Sequence, residues 1–135
     1  MARVLVVDDD PMVRVAIELC LQRQGFEVTV ADGAESGAAA LEQVVFDVML
    51  IDIFMPHMRG FEAIRVFHER APEIPLIAMS GYAFGSFDTP SPDFFRMTLE
   101  LGASLCLRKP FTPSALLAAV NECLVKPIAN TRLTK

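Results

Sequence analysis

Two short apolar runs in this chain end on acids. Val4-Leu5-Val6-Val7 closes on Asp8-Asp9-Asp10, and Val48-Met49-Leu50-Ile51 closes on Asp52. Runs of this length, rich in β-branched residues and without polar alternation, fit strands buried on both faces, as in a parallel sheet. Open α/β sheets build their sites beyond the carboxyl ends of their strands, so the acids are expected to meet at one edge. Three carboxylates gathered there repel one another, and the arrangement implies a bound cation.

The same alternation runs along the rest of the chain. Arg3–Val7 is the first expected strand. Asp10-Pro11 reads as N-cap and first residue of a helix. Val13, Ala16, Ile17, Cys20 and Leu21 form its inner face and Gly25 its stop. A second strand is expected over Phe26–Val30. Asp32 then caps a helix with Glu35 as its capping-box partner, and Ala38, Leu41 and Val45 lie inside. The third strand is expected over Asp47–Ile51. The loop Asp52–Gly60 leads to a helix through Phe61, Ile64 and Phe67 that ends near Ala71-Pro72. Pro75–Met79 is the fourth strand, and a long loop, Gly81–Pro90, precedes a helix opened by Ser91-Pro92 and ended by Gly102. Ala103–Leu107 is the fifth strand. Thr112-Pro113 caps a last helix to about Val125, and Pro127 is expected to end regular structure. Five βα units predict an α/β, doubly wound, three-layer sandwich around a parallel sheet in the order 2-1-3-4-5. One domain is expected over residues 1–125, with 126–135 as a C-terminal tail.

Composition excludes several classes. The net charge is −5 and the 12 basic residues are scattered, so direct binding of nucleic acid has no basic stripe to use. No apolar stretch approaches the ~18 residues of a membrane span, and with only Arg3 as a basic residue and no small-residue cleavage site ahead of the first apolar run, a signal peptide is not expected. Cys20, Cys106 and Cys123 show no framework spacing and sit in apolar runs. They read as reduced, buried thiols of a cytoplasmic protein.

Five positions fall at the carboxyl edge: Asp8 and Asp9, Asp52, Ser80, and Lys109 before Pro110. Three carboxylates and one lysine sum to a formal −2, which one Mg²⁺ brings to zero, leaving room for a tetrahedral dianion. At these residues, in the stretches Val4–Pro11, Met49–Gly60, Pro75–Gly81 and Gly102–Phe111, the chain resembles the receiver domain of two-component response regulators. The ordered set of Asp-Asp, Asp-x-x-Met-Pro, Ser and Lys-Pro carries the resemblance, which extends over about residues 2–125.

The resemblance implies a flavodoxin-like fold and a role for each position. Asp52 is then the phosphoacceptor, taking a phosphoryl group from the phosphohistidine of a histidine kinase or histidine phosphotransfer protein. Asp9 is a direct Mg²⁺ ligand, Asp8 acts mainly through water, and the Phe54 backbone carbonyl completes the set, with Mn²⁺ an acceptable substitute. Lys109, before a cis Pro110, pairs with the phosphoryl oxygens, and Ser80 binds them and draws its loop inward. The output is a switched surface on the fourth helix and fifth strand that meets a protein target. The chain is then a phosphorelay signalling module and not an enzyme beyond its own phosphorylation and dephosphorylation. Asp10 is a helix cap only, and His57 and His68 read as surface residues.

Three departures from the family pattern stand out. Cys106 occupies the strand-five position that is usually aromatic, so the Ser80 movement is read differently here or Cys106 is a small core residue. Phe54 and Tyr82 stand where the family tunes hydrolysis, and two rings there predict a slowly hydrolysing phosphoform. The long Gly81–Pro90 loop brings Phe84 and Phe87, read as an interface for a partner or a weak homodimer. Phe94 and Phe95 read as rings that fold onto the fourth helix. Two further readings compete: a degenerate receiver that binds proteins without phosphorylation, and a small Mg²⁺-dependent aspartyl phosphatase using Asp8-x-Asp10. The first is disfavoured because all five positions are filled, the second because Pro11-Met12 follows the acids. A flavodoxin would need a phosphate loop where this one is acidic.

Overall fold

The computed structural model describes residues 2–55, 61–80 and 92–133, with the backbone alone at 92–95 and 126–133. In chain order the elements are β1 (Arg3–Val7), α1 (Pro11–Arg23), β2 (Glu27–Ala31), α2 (Ala34–Gln43) and β3 (Val48–Asp52). These are followed by α3 (Glu62–Arg70), β4 (Leu76–Ser80), α4 (Pro92–Glu100), β5 (Leu105–Arg108) and α5 (Pro113–Leu133). The strands form one parallel sheet in the order β2-β1-β3-β4-β5. This is the predicted doubly wound architecture. Its order reverses between β1 and β3, which opens a crevice at their carboxyl ends.

Burial follows position in the sheet. Every residue of β3 and β4 is buried, as are all of β1 but Arg3. The edge strands β2 and β5 are largely half-exposed. Alternate strand residues divide between two cores. Val4, Val6, Val48, Leu50, Ile77 and Met79 pack with Ile17 and Leu21 of α1 and Leu116 and Val120 of α5. On the other face Leu5, Val7, Met49, Ile51, Leu76 and Ala78 pack with Ile64 and Phe67 of α3, with Leu41 of α2 and Leu101 at their margin. Truncating a side chain as enclosed as Phe67 would cost about 3–5 kcal/mol.

Several boundaries differ from the sequence expectation, and each for a local reason. Strand β2 starts at Glu27 because the Phe26 N–H donates to Leu21 O (3.2 Å) and the Gly25 N–H to Gln22 O (3.0 Å), which closes α1. The same pattern closes α4: Ala103 N–H to Thr98 O (3.1 Å) and Gly102 N–H to Leu99 O (3.2 Å). Strand β5 therefore starts after Ala103. The two glycines have φ of +92° and +124°, the left-handed closure that ends helices. Strands β3 and β4 extend onto Asp52 and Ser80, which pair with Met79 and Arg108, since ladder hydrogen bonds are backbone bonds and a polar side chain does not end them.

Helix α2 is capped differently from expectation. Its N-cap is Gly33, and Ser36, not Glu35, reaches back. The Ser36 hydroxyl accepts from the Gly33 N–H (3.3 Å) and donates to Asp32 Oδ1 (2.8 Å). Asp10 caps α1 as expected, accepting from the Met12 N–H at 2.9 Å, and Thr112 Oγ1 accepts from the Ala115 N–H at 3.0 Å. Helix α5 continues through Pro127 to Leu133, past the expected end near Val125. A proline removes one rung of the helical ladder, and here the helix carries that loss. No helix among the described residues is long and apolar enough to cross a membrane.

Candidate functional site

Asp8 follows β1 directly, its N–H held by Ala31 O of the neighbouring strand at 3.1 Å. Its carboxylate is fully buried. One oxygen accepts the Asp10 N–H at 2.9 Å, and the other accepts from Lys109 Nζ at 2.6 Å. Asp9 is exposed at the mouth of the crevice. Asp52, the last residue of β3, is buried. Its Oδ1 accepts the Phe54 N–H at 3.1 Å and lies 3.7 Å from Lys109 Nζ. Carboxylate oxygens of Asp8, Asp9 and Asp52 all lie within 4.8 Å of one another.

One ammonium group cannot neutralise three acids, and Asp52 carries the strain. Its pKa is pushed up to about 7, first by burial and then by the negative charge of Asp8. Lys109 and the Phe54 N–H pull against this, while contact with Asp9 adds to it. A buried carboxylate pushed this far by its neighbours is the expected signature of a site that binds a cation or does chemistry. The hard oxygen donors suit Mg²⁺ or Ca²⁺ over a softer metal.

Lys109 is brought in from the end of β5, and the Lys109-Pro110 peptide is cis, as expected. The Lys109 N–H donates to Ser80 O at 2.7 Å, tying the two strand ends together. Ser80 itself is fully buried, and its Oγ has no hydrogen-bond partner among the described residues. By strand alternation its side chain belongs to the face of Ala78, opposite to that of Asp52 and Met79. Cys106 lies on the Ser80 face; burial raises its thiol pKa, and the hydroxyls of Thr98 and Ser80 work against that rise.

The site opens into a cleft of about 640 Å³. Its charged end is Asp8, Asp9, Asp52 and Lys109, and its apolar wall includes Met12, Val13, Phe54 and Phe111. Two participants escaped the sequence reading. Arg14, on α1, donates from Nη1 to the Asp8 backbone oxygen at 2.7 Å, a bond that only the turn between β1 and α1 makes reachable. Thr98 is fully buried on α4, although nothing in Met97-Thr98-Leu99 marks it. His68 is a correction: it is half-buried, its Nδ1 is enclosed with no hydrogen-bond partner among the described residues, and its ring lies against Gly102. Tyr82, Phe84, Phe87 and His57 lie outside the described residues, as do the side chains of Phe94 and Phe95. No disulfide joins Cys20, Cys106 and Cys123.

The chain matches the family model of the response regulator receiver domain over residues 4–121. It is 33% identical over 127 residues to an uncharacterized 14.6 kDa protein of Leptolyngbya boryana, covering 92% of each chain. A probable transcriptional regulatory protein of Picosynechococcus is 31% identical over 91% of this chain and 49% of its own length. The DNA-binding response regulator MtrA of Mycolicibacterium smegmatis is 30% identical over 90% and 50%. The chain thus spans about half the length of these two regulators. A CheY-like receiver domain protein of Methanospirillum hungatei superposes with a TM-score of 0.82 at 29% identity, covering 96% of this chain and 98% of that one. A receiver domain protein of Clostridium thermocellum gives 0.81 at 26%, again over 96% and 98%. The chain belongs to the receiver domain family of two-component response regulators.

Proposed function

We propose that the chain is a working phosphoacceptor: Asp52 takes a phosphoryl group from a phosphohistidine of a histidine kinase or phosphotransfer protein. The observation that carries this reading is the meeting of the Asp8, Asp9 and Asp52 carboxylates within 4.8 Å, with Lys109 Nζ 2.6 Å from Asp8 and 3.7 Å from Asp52. Asp8, Asp9, Asp52 and the Phe54 carbonyl would hold Mg²⁺, which when bound supplies the charge neutralisation that phosphoryl transfer requires. An oxygen of Asp52 attacks phosphorus in line. The new P–O bond forms as the P–N bond to imidazole breaks, and the imidazole leaves with that electron pair. Lys109 is within reach of the incoming oxygens, and Ser80, holding no hydrogen bond, is able to turn to them. Positioning and electrostatics suffice for this chemistry.

The donor's approach is supported by α1. Met12, Val15 and Leu19 are 77%, 52% and 54% exposed. At spacings of three and four residues they form one stripe, and Met12 lines the cleft. A helical, histidine-bearing partner can lie on this stripe with its imidazole over Asp52. The setting is cytoplasmic, and the output is a protein contact on the α4 and β5 side.

Intact mass after incubation with Mg²⁺ and acetyl phosphate tests the reading, with Asp52→Asn and a metal-free sample alongside. One phosphoryl adduct that needs both Mg²⁺ and Asp52 is expected. A folded, Mg²⁺-bound protein that takes no phosphoryl group from acetyl phosphate or from a phosphohistidine protein would sink it.

A further inference from the structure

Asp9 is the exposed member of the acid cluster, between two buried carboxylates. The backbone on either side of it is nevertheless pinned. The peptide before Asp9 carries the Asp8 carbonyl, which accepts from Arg14 Nη1 at 2.7 Å. The peptide after it carries the Asp10 N–H, which donates to Asp8 Oδ1 at 2.9 Å. Each peptide unit is a plane, so a bond to its oxygen or its N–H fixes how that plane is turned. Asp9 keeps little freedom beyond its own side-chain torsions. Arg14 belongs to the same turn by its backbone as well: its N–H donates to Asp10 O at 3.1 Å. The Met12 N–H donates to Asp10 Oδ1 at 2.9 Å.

The cleft is lined from this stretch by Asp8, Asp9, Asp10, Met12 and Val13, and not by Arg14. Arg14 is half-buried and grips the turn from outside the cleft. Its guanidinium has two opposed effects. A hydrogen bond from a charged donor is a strong one, and groups that orient a ligand side chain govern metal affinity nearly as the ligands do. A positive charge close to the carboxylates, in contrast, repels an incoming cation. We propose that Arg14 is a positioning residue. It holds the Asp8–Asp9 peptide so that the Asp9 carboxylate faces those of Asp8 and Asp52, and a divalent cation meets its ligands already gathered. The bond outweighs the charge, and the net effect of Arg14 is tighter binding. This rests on the proposed phosphoacceptor reading, in which Asp9 holds Mg²⁺, and names a residue that prepares the site for it.

Titration calorimetry of Mg²⁺ into the full chain tests this, because the two effects of Arg14 differ in sign. Arg14→Met keeps the apolar stem and removes both the donor and the charge. It should weaken Mg²⁺ binding by roughly tenfold or more. Arg14→Lys keeps a donor and the charge and should recover most of that loss. In the metal-free protein, hydrogen exchange at the Asp10 amide should quicken several-fold in Arg14→Met while the amides of β3 keep their native rates. Such a result marks a loosened turn in a chain that is still folded. Should Arg14→Met fail to fold, Arg14→Gln, too short to reach the Asp8 carbonyl, carries the same expectations. A folded Arg14→Met or Arg14→Gln chain that binds Mg²⁺ as tightly as the native one, or more tightly, overturns the proposal, since Arg14 then acts through its charge or on stability alone. A native chain that binds no Mg²⁺ overturns the positioning and the phosphoacceptor reading together. One that binds Mg²⁺, loses affinity in Arg14→Met and takes no phosphoryl group at Asp52 overturns the phosphoacceptor reading alone.

Discussion

The Asp52 carboxyl binds its proton far more tightly in the folded chain than in the unfolded one, about 7 against 3.8. Between those values the native state holds a proton that the unfolded state has released. Stability of the metal-free protein therefore falls as pH rises through this window. Asp52→Asn removes the penalty. In EDTA, thermal melts of the two proteins should nearly coincide around pH 4, and the variant should gain an advantage that grows until about pH 7. An offset that stays constant with pH would contradict the assignment. Phe54 is argued at the same scale. It lines the cleft beside Asp52, where a ring would keep water from an acyl phosphate formed there. Phe54→Asn should shorten the phosphoform lifetime several-fold, and Tyr82→Ala should act in the same direction; phosphate release after removal of the donor measures both.

Among the elements, α4 is held at its end by one glycine. Gly102 has φ +124°, and a Cβ there would meet the His68 ring at 2.5 Å. Gly102→Ala suffers both the backbone strain and the clash, and should cost about 2 kcal/mol or more in chemical denaturation. His68→Ala in the same background removes the ring but keeps the Cβ, which lies 2.9 Å from the added methyl; it should recover the ring's share of the steric cost and none of the backbone strain, which a double-mutant cycle separates. On α1, Leu19→Glu places a charge in the exposed stripe. It should slow transfer from a phosphohistidine protein by about tenfold, the effect of ~1.4 kcal/mol, and leave acetyl phosphate labelling unchanged. Element types were legible in the chain because β-branched runs and helical spacing differ in period. Their ends were less so. Phe26 and Ala103 read as strand residues, yet their N–H groups close the preceding helices.

A cation held by the Asp8, Asp9 and Asp52 cluster would be linked to the stability of the whole molecule. Whatever binds the native state alone raises stability by mass action. Mg²⁺ at one hundred times its Kd should add about 2.7 kcal/mol, a rise of roughly 8 °C in Tm for a domain of this size. Asp9→Asn should abolish most of that rise, and calorimetric melts across a Mg²⁺ titration check it. The chain spans about half the length of two of the regulators it matches. Hydrogen exchange on the phosphorylated chain would show which surface the proposed switch changes.

Local chemistry by itself determined the alternation of strand and helix, the parallel sheet that follows from it, and the carboxylates at the ends of two buried runs. Five βα units are compatible with more than one strand order, and the order 2-1-3-4-5 and the full set of edge residues came with the resemblance to the receiver family. Tertiary structure alone decided how those residues are poised. That Lys109 sits 2.6 Å from Asp8 and not on Asp52, that Arg14 braces the Asp8 carbonyl, and that Ser80 lies buried beside Cys106 and Thr98 follow from strand register and helix seating. Those are contacts between residues far apart in the chain, and no local pattern encodes them. Burial and the field of neighbouring charges, which push Asp52 to about 7, exist only once the chain has closed around it.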